Sequence, residues 1–375
     1  MPDFSGFYAL PIAERQARLD VSFTGGLEFE TADQMIENAI GTFSLPLGIA
    51  CHFVIEGEPL WIPMAIEEPS VIAAASRMAK LASFRGGFKI AVDEPIMMGQ
   101  IQLLNASDWD HVAQVLIEHQ ERLIELGNQH CPGLKTRGGG CRKIGLKNLN
   151  SRMAVVEISI DCRDAMGANL INTVLEALAP EIELLTGAQV GFKILSNLSD
   201  QRLARASCEI GYQALADDKT HDQGRKVAQR MIDGYEFAKL DPYRACTHNK
   251  GVMNGIGAVV IATGNDWRAV EAGAHAYAGT RPGGYGPLTH YEMREDYLFA
   301  SIELPMALGV VGGVTNVHPT VKSCLQLLGN FGKSAKALAG VVAAVGLAQN
   351  MAAMRALAAE GIQKGHMALH NRKQL

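Results

Sequence analysis

Residues 142–161, in the middle of the chain, have the sequence RKIGLKNLNSRMAVVEISID. Their pattern predicts one strand over Arg142–Lys147 and a second strand over Met153–Asp161. The polar residues of Asn148–Arg152 are typical of a turn that joins two such strands. The stretch therefore predicts an antiparallel hairpin, and the rest of the fold can be worked out from this hairpin.

On the N-terminal side of the hairpin, residues 88–105 carry alternating apolar side chains. This pattern predicts a strand, with an edge or a bulge at Pro95. Apolar residues at helical spacing then predict a helix over Trp109–Leu126. Asp108 is the expected N-cap of this helix, and Gly127 is its expected end.

On the C-terminal side of the hairpin, the pattern predicts a helix over Ala165–Leu185 and a strand over Gln189–Leu195. The order of elements is then β-α-β-β-α-β, which is the ferredoxin-like arrangement. Its two helices would cover one face of an antiparallel sheet. We assign this small domain to residues 91–199.

Both flanks of the small domain are rich in alanine and glycine. They predict long helices over residues 66–81, 223–239, 267–278 and 333–364. We therefore predict an α+β fold, in which residues 1–90 and 200–365 form an α-rich large domain that carries the ferredoxin-like domain as an insertion. No Rossmann fold is expected, because Gly255–Val260 lacks the third glycine of GxGxxG and Gly309–Gly313 has the wrong spacing.

Composition excludes several classes of protein. A net charge of −5 over 375 residues argues against a nucleic-acid-binding protein, which would present a basic face. The seven cysteines form no CxxC pair, so packed thiols of a cytoplasmic protein are expected rather than a zinc or redox site. No signal peptide is evident. Residues 337–354 are uncharged, but their glycines and amides favour a buried helix over a membrane span.

Two motifs at predicted helix starts admit two interpretations each. In Asp164–Asn169, free backbone N–H groups could bind a pyrophosphate, but an ordinary N-cap by Asp164 is favoured on the local sequence alone. Glu67 and Glu68 could compensate a helix dipole, which is the favoured interpretation. Alternatively, one of these two carboxyl groups could donate a proton at neutral pH.

Two further pairs of residues are ambiguous on their own. Lys250 and Asp266 lie in polar motifs among apolar residues, so they could stabilise an oxyanion or form a buried structural ion pair. His366 and His370 are four residues apart and share one face if their segment is helical. Without HExxH or a third ligand, a general acid or a surface histidine is favoured over a metal site.

Several motifs occur together, in one order, from about residue 30 to the C-terminus. They are Glu37–Gly41, Glu67–Ser70, Asp164–Asn169, Asp241–Ala245, Thr247–Asn254, Gly264–Gly273 and Gly346–His370. Together they resemble class II 3-hydroxy-3-methylglutaryl-CoA (HMG-CoA) reductases. The resemblance implies a two-step reduction of the thioester to mevalonate and CoA, through a hemithioacetal and an aldehyde, that consumes two hydride equivalents.

The resemblance also implies roles for individual residues. Glu68 would donate a proton, and Lys250 would stabilise the oxyanion. Asp266 would tune both groups, and His366 would protonate the departing CoA thiolate. The carboxylate and the hydroxyl of the acyl group would be held by Ser70, Arg244 and Asn254.

A nicotinamide dinucleotide is implied as cofactor, and no metal. Its binding site would lie on the small domain and would be lined by Asp164, Met166, Gly167, Asn169 and Asn197. The best-known members that use NADH have an acidic residue after the first small-domain helix, where this chain has Cys131. Nearby, His130, Lys135 and Arg137 could contact a 2′-phosphate, which favours NADPH or the use of both cofactors.

The resemblance implies a homodimer whose active sites lie between the subunits, and Glu37–Gly41 would contribute to these sites. It implies no membrane partner and no nucleic-acid partner. Family members usually continue into a mobile C-terminal flap. Residues 366–375 would be the start of this flap, which is then truncated or absent. Closure of such a flap completes the catalytic site, so its loss would impair turnover.

Two other functions remain open on the sequence. A related oxidoreductase could act on another acyl-CoA, although Ser70 and Arg244 imply an acyl group that carries a carboxylate. A non-catalytic dimeric binding protein could use the same scaffold, although all four implied catalytic residues are present. The residues do not set whether mevalonate is made or broken down.

Overall fold

The computed structural model describes residues 6–7, 10–19, 21 and 26–359. Within this part, the chain divides into two compact units. The small unit is Asp93–Arg202, and the large unit comprises the described residues before and after it. The functions assigned above to residues 1–90, 91–199 and 200–365 stay predictions.

The described strands are β1 (Leu47–Ile55), β2 (Glu58–Ala65), β3 (Phe88–Val92), β4 (Ile96–Leu104), β5 (Gly140–Asn150), β6 (Met153–Asp161), β7 (Gln189–Leu195), β8 (Leu203–Gly211), β9 (Thr289–Met293) and β10 (Tyr297–Pro305). The described helices are α1 (Ile12–Ala17), α2 (Phe29–Met35), α3 (Val71–Ser83), α4 (Trp109–Glu118), α5 (Gln120–Gln129), α6 (Pro132–Lys135), α7 (Ala168–Thr186), α8 (Tyr212–Leu215), α9 (His221–Leu240), α10 (Pro242–Ala262), α11 (Trp267–Thr280), α12 (Val314–Val317), α13 (Pro319–Leu327) and α14 (Ala335–Ala359). A 3₁₀ helix spans Gly329–Lys333.

The small unit contains an antiparallel sheet with the strand order β5-β6-β4-β7. The predicted hairpin is confirmed, but β5 is longer than expected, so the turn is reduced to Ser151 and Arg152. α7 packs on β4, where Gly99 leaves room for Ile171 and Leu175. The β-α-β-β-α-β order is therefore confirmed.

The helix predicted over residues 109–126 is in fact two helices, α4 and α5, which meet at His119. Asp108 is confirmed as the N-cap of α4, because its carboxylate accepts the N–H groups of Asp110 at 2.9 Å and His111 at 3.1 Å. Gly127 does not end α5, which continues to Gln129. Gly127 instead faces the Cys141 sulfur so closely that a Cβ there would lie 2.7 Å from it.

A six-stranded sheet in the large unit was not predicted. Its strand order is β2-β1-β3-β8-β10-β9. The single strand predicted over 88–105 is wrong, because β3 belongs to this sheet and β4 to the sheet of the small unit. Pro95 lies between these two strands, and its carbonyl accepts the N–H of Cys162 at 2.9 Å.

The core of the large unit is built around α14. In the described part of the chain, α14 is the helix long and apolar enough to cross a membrane, and 83% of its apolar window is buried inside the protein. It packs closely on α10, since Gly255 and Gly346 lie where a Cβ would approach the opposite helix within 3 Å. The prediction of a buried core helix is confirmed. All seven cysteines are free thiols, and six of them are buried.

Candidate active site

A cavity of about 440 Å³ lies in the large unit, between α3, α10 and α14. Five residues predicted from the sequence line it together: Glu68, Ser70, Arg244, Lys250 and Asn254. They come from segments almost 190 residues apart in the chain, and the folding of α3 against α10 and α14 brings them to one place. The cavity is walled on the α14 side by small residues such as Ala352, Ala353 and Ala356.

α10 supplies most of the polar side chains of the cavity. The N-terminus of this helix is stabilised, because the Asp241 carboxylate accepts the N–H of Arg244 at 2.8 Å and Pro242 occupies the first helical position. Arg244, Lys250 and Asn254 of this helix line the cavity, and Lys250 and Asn254 lie one turn apart on the same face of the helix. Arg244 is partly buried, which lowers the pKa of its guanidinium, but arginine stays charged at neutral pH.

The start of α3 explains the position of Ser70. Its φ is +77°, a left-handed conformation that costs a residue with a side chain about 1–2 kcal/mol. The Ser70 side chain makes no capping bond to α3. Glu67 and Glu68 lie outside the first turn of α3, which contains no acidic residue, so compensation of the helix dipole does not explain them.

Glu68 and Lys250 differ from Arg77 and Arg355, which also line the cavity but pair with Asp217. Glu68 and Lys250 are both exposed, and among the described residues neither forms an ion pair. The interpretation of Lys250 and Asp266 as a buried structural ion pair is therefore wrong for the isolated chain. An unpaired ammonium group at the wall of a cavity is available to a carbonyl oxygen of a ligand.

Asp266 does not line the cavity. It caps α11, where its carboxylate accepts the N–H groups of Arg268 at 3.0 Å and Ala269 at 3.1 Å, and it also pairs with the Arg268 guanidinium at 3.5 Å. The turn before it is fixed by a bond from Asn265 N–H to the Val260 carbonyl. Ten residues of helix separate Val260 from Lys250, a rise of about 15 Å.

The floor of the cavity contains a buried polar network that the sequence analysis missed. The His248 Nε2 lies 2.6 Å from the Thr289 hydroxyl, and the Asn350 amide donates to the His248 carbonyl at 3.0 Å. The Tyr291 hydroxyl donates to the Asn350 carbonyl oxygen at 2.5 Å. Burial lowers the pKa of His248 to about 3, so this imidazole is neutral at physiological pH. The network fixes α10 against α14 at the cavity.

A second missed group borders the cavity on the other side. Arg355 of α14 is buried and donates to the Leu215 carbonyl at 2.9 Å and to the Asp217 carboxylate at 2.6 Å. Arg77 of α3 also contacts Asp217, at 3.4 Å. These bonds fix α3 and α14 to one loop. Nothing in the local sequence marked Arg355, since its partners lie about 140 residues away.

In the small unit, the turn before α7 differs from the favoured sequence interpretation. The N-cap of α7 is Gly167, with φ +100°, and no side chain caps the helix, so Asp164 is not the N-cap. A Cβ on Gly167 would lie 2.4 Å from the Cys162 sulfur, so only glycine fits. The first N–H groups of α7 are thus free of capping side chains, as an anion site requires.

The small unit also places Asn197 beside these elements. Asn197 is exposed in the loop that follows β7. The end of β7 is tied to α7 by a bond of 3.1 Å from Leu195 N–H to the Asn172 side chain. The Ser196 N–H donates to the Met98 carbonyl at 2.8 Å. Asn169 in the first turn of α7 is exposed, and Asp164 and Met166 are partly exposed.

The residues expected near a 2′-phosphate differ in their exposure and in their partners. Cys131 is buried, with its thiol 3.5 Å from the Gly127 carbonyl. Lys135 is held by Glu125 at 2.5 Å. His130 and Arg137 are exposed.

The predicted His366 and His370, and the predicted start of a flap at 366–375, lie outside the described residues. Within the residues that the structure describes, no three His, Cys, Asp or Glu side chains are grouped as a metal site would require.

Comparison with known proteins decides the family. The sequence model of hydroxymethylglutaryl-coenzyme A reductase matches residues 12–371. The chain belongs to this family. It is 47% identical to the 3-hydroxy-3-methylglutaryl-coenzyme A reductase of Archaeoglobus fulgidus over 383 residues, which cover 98% of this chain and 85% of that relative. A probable reductase of the same name from Borreliella burgdorferi is 33% identical, with 91% and 77% covered.

Solved structures give the same result. The HMG-CoA reductase of Streptococcus pneumoniae superposes with a TM-score of 0.92 at 38% identity, covering 99% of this chain and 91% of the other. A structure of the class II reductase from that organism, bound to NADPH in open conformations, gives a TM-score of 0.90 and covers 95% and 99%. The resemblance to class II reductases, the α+β fold and the assignment as an enzyme of this family are confirmed.

Proposed function

We propose that this chain reduces HMG-CoA to mevalonate and CoA with two equivalents of a reduced nicotinamide dinucleotide, or catalyses the reverse oxidation. The observation that carries the proposal is the convergence of Glu68, Ser70, Arg244, Lys250 and Asn254 on one cavity. A cation, a carboxyl group and a carboxylate-binding arginine are the groups that this reaction needs. Family membership supports the same reaction.

Each residue of the cavity is assigned a role from the chemistry of its side chain. The Arg244 guanidinium binds the free carboxylate of the acyl group, and Ser70 and Asn254 bind its hydroxyl and carboxylate oxygens. The Lys250 ammonium donates to the thioester oxygen, where negative charge develops as the carbonyl carbon is reduced. Glu68 supplies the proton that converts this oxyanion to a hydroxyl.

The leaving group and the second reduction need the same groups again. Collapse of the hemithioacetal returns its hydroxyl proton to Glu68 and breaks the C–S bond, and His366 would protonate the thiolate, an assignment that depends on the resemblance alone. The aldehyde then takes a second hydride, with Lys250 on its oxygen and Glu68 as the proton donor. Two hydrides and two protons convert one thioester into one primary alcohol and one thiol.

The small unit fits a dinucleotide at the start of α7. When bound there, the reduced nicotinamide supplies the hydrides. The uncapped first turn and Gly167 suit a pyrophosphate, and Asn169 and Asn197 offer exposed amides. The NADPH-bound structure of the Streptococcus pneumoniae relative supports this cofactor class.

We infer a preference for NADPH, or use of both cofactors. Cys131 is buried and carries no carboxylate that would bind the adenosine ribose or repel a 2′-phosphate. His130 and Arg137 are exposed nearby, whereas Lys135 is engaged by Glu125. Of these three residues, Arg137 is then the permanent cation that has no acidic partner among the described residues.

We also infer a homodimer in which Asp266 reaches the active site from the second copy. In one chain Asp266 caps α11, beyond the C-terminal end of α10, and α10 rises by about 15 Å from Lys250 to Val260 alone, so we assign the pair to two subunits. Ile40 and Phe43, in and next to the predicted interface segment 37–41, are almost fully exposed. Apolar side chains in such positions mark a surface that another chain covers. A cytoplasmic location is proposed from the seven free thiols.

The test is HMG-CoA-dependent oxidation of NADPH and of NADH, followed by the absorbance of the reduced cofactor. Oxidation that requires HMG-CoA would support the proposal, and the ratio of the two rates would decide the cofactor preference. A related oxidoreductase would also reduce acyl-CoA substrates without a free carboxylate. We expect no reduction of such substrates by this chain. Arg244→Met should raise the KM for HMG-CoA, and this variant should still not reduce acyl-CoA substrates that lack a free carboxylate.

A further inference from the structure

Arg202 is a buried cation beside the proposed cofactor site, and no role has been assigned to it above. It is the last residue of the small unit, and only 3% of its surface is exposed. Its Nη1 donates to two backbone carbonyls, those of Ala165 at 3.2 Å and Met166 at 3.4 Å. A guanidinium keeps its charge when buried, so the fold has placed a permanent cation under this turn.

The two carbonyls determine where the neighbouring N–H groups point. Among the residues that the structure describes, no peptide bond is cis, and in a trans peptide the C=O and N–H groups point in opposite directions. Because the carbonyls of Ala165 and Met166 face Arg202, the N–H groups of Met166 and Gly167 face away from it. The N–H groups of 168–170 follow, and none of these has an acceptor within α7. The turn thus presents consecutive donors, as in backbone nests that bind anions.

Arg202 also joins two segments that the resemblance assigns to the cofactor. One is the turn with Asp164 and Gly167, which Arg202 contacts directly. The other is the loop that begins at Ser196, includes Asn197 and ends at Arg202, whose own N–H donates to the Ser199 carbonyl at 2.9 Å. A single side chain therefore holds the loop and the turn together.

We propose that Arg202 is a positioning residue for the dinucleotide: it orients the turn at 165–167 so that backbone N–H groups receive the pyrophosphate. This inference rests on the proposed function and deepens it. Recognition of the pyrophosphate is assigned to backbone donors held by a buried cation that does not itself contact the ligand.

The test compares three variants of the full chain. Arg202→Met removes the charge at similar length, and Arg202→Lys keeps a charge but not the fork that holds two carbonyls. Arg152→Met is the matched control, because Arg152 is exposed at the β5–β6 turn of the same unit. Fluorescence titration gives the Kd for NADPH and for ADP-ribose, which has the pyrophosphate but no nicotinamide. Steady-state rates give the KM for each substrate.

We expect Arg202→Met to raise the Kd for NADPH and for ADP-ribose, and the KM for NADPH, by about tenfold or more. Arg202→Lys should give a smaller rise, and Arg152→Met none. The KM for HMG-CoA and the kcat at saturating NADPH should stay within about twofold of the parent, because the large-unit site is intact. A merely structural role would lower the melting temperature without this selective change in cofactor affinity.

The outcomes separate the two proposals. A folded Arg202→Met protein with parental affinity for both ligands would overturn the inference, and so would weaker binding of NADPH with unchanged binding of ADP-ribose. If Arg202→Met does not fold, Arg202→Lys decides in the same way. An unsubstituted chain that binds ADP-ribose but neither oxidises nor binds NADPH or NADH would instead refute the proposed function.

Discussion

The helices α3 and α7 begin in the same unusual way and differ in one residue type. Among the described helices, these two follow an N-cap in the left-handed conformation, and neither has a side-chain cap. The N-cap is Ser70 in the large unit and Gly167 in the small unit. Glycine adopts this conformation without strain, whereas serine does not.

The difference shows how the two sites are built. At Gly167 a side chain is excluded by Cys162, so the proposed site of the small unit depends on backbone donors. At Ser70 the backbone is strained, and the serine supplies a hydroxyl side chain that lines the cavity. The site of the large unit therefore depends on side chains, and substitution of single residues should affect the two sites unequally.

The largest effect is expected for Lys250→Ala, because in the proposed mechanism this one side chain supplies the oxyanion contact. We expect kcat to fall by about 10²–10³-fold, with the melting temperature nearly unchanged since Lys250 is exposed and unpaired. The measurement is HMG-CoA-dependent oxidation of NADPH. Lys226→Ala, on the exposed side of α9, is the control and should keep full activity. Near-normal turnover of the Lys250 variant would remove this lysine from the mechanism.

Gly167→Ala should break the backbone-built site. The added Cβ meets the Cys162 sulfur in a backbone conformation that disfavours alanine, so we expect a loss of more than about 2 kcal/mol in the free energy of unfolding and a raised KM for the cofactor. The control is Gly187→Ala, which also has positive φ but open space around its Cβ, and should cost about 1 kcal/mol. Equal losses at the two glycines would show that contact with Cys162 is unimportant.

Low pH should destabilise the folded protein through His248, which lies at the cavity of the large unit. Its pKa falls from 6.5 in an unfolded chain to about 3 in the folded protein, so the unfolded state binds the proton more readily. Stability from this group is complete above pH 6.5 and is lost as the pH falls toward 3, by at most about 1.4 kcal/mol per pH unit. Urea unfolding between pH 7 and pH 4 measures it. In His248→Gln this part of the pH dependence should disappear, and an unchanged slope would contradict the assignment.

The smallest effect is expected for Ser70→Gly. Relief of the left-handed strain should raise the free energy of unfolding by up to about 1 kcal/mol, while loss of the hydroxyl should raise the KM for HMG-CoA. Lys219→Gly is the matched control, because Lys219 also has a positive φ, in an exposed loop. It should stabilise the protein similarly and leave the KM unchanged. If Ser70→Gly behaves like this control, the hydroxyl does not bind substrate.

The parts of the fold with local patterns could be predicted from the sequence. β6 and β7 have the predicted bounds, because their apolar residues and the polar or glycine residues that flank them are visible in the sequence. α10 was missed, since Gly251, Gly255 and Gly257 and the polar THNK motif are typical of a loop. That helix is stabilised by close packing against α14, which local propensity does not report.

The candidate site was less accessible to sequence reasoning. Spacing alone could not show that Glu68 and Lys250 share a cavity, because their elements meet only through the core, and the resemblance supplied the connection. No role was predicted for His248 and Arg355, although both lie in quoted motifs, since the partners of buried polar side chains lie far away in the chain. The wrong N-cap at Asp164 has a local cause: an aspartate near a helix start is the commonest cap, and the left-handed glycine replaced it.

The pairing of β3 with β8 has a consequence for how such a chain could arise. Val92 and Ala204 are directly opposite in this antiparallel pair, so the segment between them leaves and rejoins the large unit at one point. A two-residue turn could close β3 and β8 as an ordinary hairpin. The small unit is therefore a module that occupies the position of a hairpin loop, and its gain, loss or exchange would leave the strands on either side in register. In such an architecture the small unit can change without disturbing the cavity of the large unit.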